Sequence, residues 1–171
     1  MKKEKIKEIS IYLLIIVMVI LIRTFLITPV RVNGSSMDPT LKNGEIMILN
    51  IVKYNNNDIK RFDIVVIKMD KELLIKRVIG LPNEEVKYVD NKLYINNEYV
   101  EETFLNEDVY TTNFSLSDIN LEKIPENCYL VLGDNREVSL DSRIFGCFTK
   151  DKILGSANLV LFPFNKVGYK K

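Results

Sequence analysis

The chain contains no histidine among its 171 residues. That absence removes the Ser-His-Asp triad, the HExxH metalloprotease and every His-ligated zinc site together. Charge of one sign is missing too. Lys and Arg total 24 against 23 Asp and Glu, a net charge of +1. No strong field therefore points to nucleic acid. Cysteine is scarce: Cys128 and Cys147 are too few for a disulfide framework and form no CxxC pair. Two half-buried small apolar residues are expected there, ahead of a bridge. Internal repeats and low-complexity tracts are also absent. What remains, 47% hydrophobic and 27% charged, suits a folded chain with one real core.

The N-terminus is the exception to an even composition. MKKEKIKE leads into ISIYLLIIVMVILI, then Arg23 and TFLITPV. From Ile9 to Thr28 the run is about 20 residues, or ~30 Å as a helix, enough to cross a bilayer core. Arg23, near the far end, can snorkel to the interface. Lys2, Lys3, Lys5 and Lys7 precede the run, so the positive-inside rule puts the N-terminus in the cytoplasm and everything after Pro29 outside. A cleaved secretory signal would need small residues at its end, and Arg-Thr-Phe-Leu-Ile-Thr-Pro is too bulky. A buried core helix would show a polar face, and Ile11 to Ile22 shows none. The expected organisation is a cytoplasmic tail (1–8), a transmembrane anchor (9–28) and an extracytoplasmic β-domain (29–171).

Beyond Val30 the pattern changes to short β-branched and aromatic runs cut by Asn, Gly, Asp and Pro. Strands are expected over 45–54, 63–68, 73–80, 85–90, 92–100, 128–134 and 154–162. Asp90-Asn91 and Asn96-Asn97 mark two hairpin turns. No long amphipathic helical pattern follows the anchor. The fold class is mainly β: a compact antiparallel sheet or barrel-like domain behind one helix.

NGSSMDPTL (33–41) places two serines in a loop, which is ordinary loop chemistry unless one is a nucleophile. Without histidine, lysine is the remaining base. Free lysine, with a pKa of about 10.4, is roughly 0.04% neutral at pH 7. Burial can lower that value to ~8, leaving about a tenth neutral, at a cost of roughly 3 kcal/mol. ELLIKRVIG meets the need. Alternation along a strand puts Leu74, Lys76 and Val78 on one face. The competing reading is a surface charge on an edge strand. Arg77 stays protonated and cannot act as a base. The Ser-x-x-Lys spacing of penicillin-binding enzymes is absent.

GSSMDPTL, KRVIGLPNE and GDNREVSLDSRIFG, in this order behind an anchor, resemble the type I signal peptidases of bacteria. RFDIVVIK resembles a further family segment, with Phe62 where glycine is usual. The resemblance runs from the anchor to about Gly155. It implies a membrane-bound Ser/Lys endopeptidase that removes signal peptides from exported preproteins outside the membrane. It implies Ser36 as nucleophile, Lys76 as general base, Ser139 as hydrogen-bond support for the lysine amine, and Asp141 with Arg143 as a bracing salt bridge. No metal or organic cofactor is implied. The implied partners are signal peptides with Ala-x-Ala before the cut, the lipid bilayer and the secretion translocase. Gly34 stands where some members carry a serine as second oxyanion donor; Gram-positive members also carry glycine. A second β-domain between Pro82 and Pro125 must be small. Phe162 and Phe164 suit either the lipid interface or a closing strand with core aromatics. Two rivals are weighed: a self-cleaving repressor-type protease, for which residues 1–30 offer no helix-turn-helix, and a non-catalytic membrane-tethered β-module, which would have lost Ser36 or Lys76.

Overall fold

The structure, a computed structural model, describes residues 2–25, 28–50, 59–70 and 72–170. A long helix, α1 (Lys2–Phe25), leads into two antiparallel sheets. Its apolar side chains from Ile9 to Val19 are exposed, which rules out a core helix. Among the described residues no helix is long and apolar enough to cross a membrane. Residues 26–27 of the expected span lie outside the described residues. Its expected last residue, Thr28, is already paired with Leu49. The boundary at 28 is thereby corrected: backbone pairing claims Thr28 for a strand.

The strands are β1 (Thr28–Arg31), β2 (Ile46–Asn50), β3 (Ile64–Met69), β4 (Glu72–Gly80), β5 (Val86–Val89), β6 (Lys92–Ile95), β7 (Glu98–Val100), β8 (Phe114–Ser115), β9 (Cys128–Leu132), β10 (Phe148–Thr149), β11 (Ile153–Phe162) and β12 (Gly168–Tyr169). A short helix, α2 (Ser142–Phe145), precedes β10. The large sheet runs β1-β2-β11-β3-β4-β9-β10, with β12 on β11. The small sheet runs β7-β6-β5-β8 and lies between Pro82 and Pro125 in sequence. Its two hairpins turn at Asp90-Asn91 and Asn96-Asn97, all four residues with positive φ. Asn and Asp tolerate that left-handed region better than other side chains, so two-residue loops close there.

Burial follows strand alternation. In β3, Ile64 and Val66 enter a core with Met37, Leu41 and Met47, while Val65 and Ile67 enter another with Val78, Val131 and Phe148. Both faces of the large sheet are therefore covered. The strand expected over 45–54 is described as far as Asn50; residues 51–54 lie outside the described residues.

The cysteines depart from expectation. Cys128 and Cys147 form a disulfide, with Cα atoms 5.7 Å apart. Antiparallel pairing of Cys128 with Thr149 and Tyr129 with Phe148 draws Cys147 alongside β9. A Cα separation of that size is the usual geometry for a bridge. Spacing along the chain carries no trace of this pairing.

Candidate active site

The loop from 32 to 45 joins β1 to β2 and carries Ser36. Met37 and Leu41 anchor it, both buried in the core below. Leu41 N–H donates to the Met37 carbonyl (2.9 Å) and Asp38 N–H to Ser35 (3.1 Å). Gly34, at φ +90°, makes the bend before the serines; its N–H donates to Asn43 Oδ1 (3.0 Å). From the other side, Asn135 grips the same loop. Its N–H donates to Ser36 O (3.0 Å) and its side chain to Ser35 O (3.2 Å).

Lys76 lies mid-strand in β4, paired with Val65, and is 2% exposed. The edge-strand reading is excluded. Burial is the main cause that lowers its pKa from 10.5 to about 8, and the Arg143 charge adds to it. Asp141 and Asp134 oppose the shift. Desolvation wins because an ammonium loses more hydration than two carboxylates return.

Gly133 is the crossing point. Arg77 pairs with Leu132 across β4 and β9; Lys76 directly precedes the one and Gly133 directly follows the other. A Cβ on Gly133 would collide with the Ser139 side chain and with the Ser36 carbonyl. Only glycine lets these segments approach so closely. Gly133 N–H donates to Asp141 Oδ2 (3.0 Å).

Asp141 caps α2 and holds Arg143 three times: backbone N–H (3.2 Å), Nε (2.9 Å) and Nη2 (2.9 Å). Burial pushes its carboxyl up, but Arg143 and the Gly133 N–H outweigh it, so the pKa falls below the ordinary 3.8. Ser139 is buried, and its Oγ has no hydrogen-bond partner. It lies near enough to Asp141 to favour the carboxylate, though not in hydrogen-bonding geometry. The hydrogen bond expected from Ser139 to the lysine amine is thus not formed. The hydroxyl packs instead against the backbone of Gly133.

Sequence reasoning missed the groups that build this junction. Gly133 and Asn135 stand in the quoted Gly-Asp-Asn-Arg segment, but their partners lie in distant parts of the chain. Arg77 forms a fully buried ion pair with Asp134, through Nε (2.9 Å) and Nη2 (2.7 Å). That pair lies one residue beyond Lys76 on β4 and one beyond Gly133 in the loop after β9. An apolar groove is lined by Met69, Leu74, Leu140 and Phe145 together with Asp70 and Glu72.

The family described as signal peptidase, peptidase S26, matches residues 5–162. The chain belongs to that signal peptidase family. Signal peptidase IB of Staphylococcus aureus (strain MRSA252) is 37% identical, over 99% of this chain and 95% of its own. Signal peptidase I of Bacillus amyloliquefaciens is 40% identical over 89% and 85%. The crystal structure of a signal peptidase I from Enterococcus faecalis V583 superposes with a TM-score of 0.52 at 34% identity, covering 57% of this chain and 95% of that one. Membership makes this signal peptidase a serine endopeptidase. It favours that activity over both the repressor-type and the non-catalytic rival.

Proposed function

We propose that this signal peptidase removes signal peptides from exported preproteins with a Ser36–Lys76 dyad at the outer face of a bacterial membrane. One observation carries the reading. A lysine buried in a central strand has its pKa lowered to about 8, and the Ser36 carbonyl lies against Gly133, the residue that follows the neighbouring strand β9. Neutral Lys76 accepts the Ser36 hydroxyl proton as the oxygen attacks the scissile carbonyl. The Ser36 N–H is one donor to the oxyanion. Lys76 passes its proton to the leaving amine, then takes one from the water that hydrolyses the acyl-enzyme. Asp141 and Arg143 fix the loop that packs on the lysine, and Ser139 fills the space beside Gly133. The chemistry calls on no metal or organic cofactor.

Membrane attachment is part of the proposal. The tail of residues 1–8 stays in the cytoplasm and the helix from Ile9 anchors the chain. Exposed apolar side chains from Ile9 to Val19 support this, as does the lysine cluster before them. Exposed Phe162 and Phe164 favour the lipid interface over a core role. A Cys128–Cys147 disulfide favours an oxidising, extracytoplasmic setting for the β-domain. Preprotein delivery then involves the lipid bilayer and the secretion translocase.

The test is cleavage of an exported precursor in detergent, with N-terminal sequencing of the product. Ser36→Ala and Lys76→Ala abolish cleavage while the fold persists; normal turnover by either variant sinks the dyad.

A further inference from the structure

The small sheet supplies neither Ser36 nor Lys76, yet the segment that follows its strand β7 holds two arginines, Arg136 and Arg77. Glu102 receives Arg136 Nη2 (2.6 Å) and Nη1 (3.3 Å). Arg136 Nη1 also donates to the Tyr88 hydroxyl (3.0 Å) and to Thr111 Oγ1 (2.8 Å), both on the small-sheet side. Arg136 Nε donates back to the Gly133 carbonyl (3.0 Å), and Arg143 Nη2 donates to the Arg136 carbonyl (2.7 Å). The Arg136 guanidinium is fully buried.

Two residues on, Phe104 lays its ring over the guanidinium of Arg77, 3.9 Å from centroid to Cζ. The same ring packs on Phe62 at 5.0 Å. Phe62 sits at φ +70°, a region where a bulky side chain is strained. Its carbonyl accepts Arg77 Nη1 (3.0 Å). Arg77 directly follows Lys76, and Gly133 lies beneath the loop of Ser36. One five-residue segment, 101–105, thus touches both sides of the junction.

We propose that segment 101–105 is a clamp on the catalytic junction, with Glu102 and Phe104 as positioning residues. Glu102 acts through Arg136 on Gly133. Phe104 acts through Arg77 on the strand that presents Lys76. Buried, fully partnered polar networks have few alternative arrangements, so the clamp admits one geometry of the site. The inserted sheet is the platform that carries it. This inference rests on the dyad reading.

The test uses the full chain in detergent with a signal-peptide substrate. Glu102→Gln and Phe104→Leu lower kcat on the order of 10-fold to 100-fold, the scale of a displaced catalytic group. KM stays within about twofold, because neither residue lines the apolar groove of Met69, Leu74, Leu140 and Phe145. The alkaline-rising limb of kcat/KM moves to higher pH, since a loosened junction lets water reach the lysine. The charges facing that lysine (Asp141, Arg143 and Asp134) are unchanged in both variants. Phe104→Tyr, which keeps the ring over Arg77, restores native values. Native kcat with an unmoved limb overturns the clamp. So does a loss that only tracks the folded fraction, or failure of both variants to fold, because either makes the segment merely structural. Retained turnover in Lys76→Ala would break the underlying dyad reading instead, whatever the clamp variants do.

Discussion

Replacing Lys76 by methionine should make the protein more stable and inactive at once. In the folded chain Lys76 has a pKa of about 8, against 10.5 when free. At pH 7 both states hold the proton, so the folded state carries the full desolvation cost. The gap corresponds to about 3 kcal/mol. The sign follows from proton counting. Between pH 8 and 10.5 the unfolded lysine is protonated while the folded one is not, so stability rises with pH across that window. Methionine has a similar stem and no charge, so Lys76→Met should gain up to about 3 kcal/mol at pH 7. The gain should shrink toward zero near pH 10.5. Urea unfolding of both proteins in detergent at several pH values measures this. The same amine sets the rate: its neutral fraction climbs from about a tenth at pH 7 to about nine tenths at pH 9, so kcat/KM of the native enzyme rises roughly tenfold and then levels. A variant no more stable than the native protein at pH 7, or a rate still climbing beyond pH 10, would refute the buried-amine argument.

Three further outcomes are expected. Gly133→Ala drives a methyl into Ser139 and the Ser36 carbonyl, so cleavage should fall at least about 100-fold while circular dichroism changes little. Cys128→Ser opens a link across 19 positions and should lower stability by about 3 kcal/mol, read as a drop in the urea midpoint. Asp141 has a folded pKa below 3.8, so its stabilisation is present above that value and is lost as pH falls; Asp141→Asn should flatten the acid limb of a stability-against-pH curve.

Local patterns in the chain predicted local structure well. The two Asn-rich turns of the small sheet were legible because hairpin chemistry is contained within four residues. The face shared by Leu74, Lys76 and Val78 was legible because alternation is a property of one strand. Whether that face is buried was not, since burial of Lys76 depends on β3 and β9 as neighbours. Partners far apart escaped altogether. Arg77 finds Asp134 only after β4 and β9 align, and Cys128 meets Cys147 only after β10 turns back. The very short strands β8, β10 and β12 carry too few residues for a periodic signal. Ser139 shows the limit of resemblance: the position matches, but its hydroxyl faces a glycine backbone and forms no hydrogen bond.

The position of β11 has a consequence for biosynthesis. The strand made from residues 153–162 lies between β2 and β3, so within the sheet it is the strand that hydrogen-bonds the half holding the nucleophile loop to the half holding the lysine. Nascent chains that stop short of it lack that join, and are expected to show no cleavage until it is made. Completing the sheet is thus left to the last long strand of the chain.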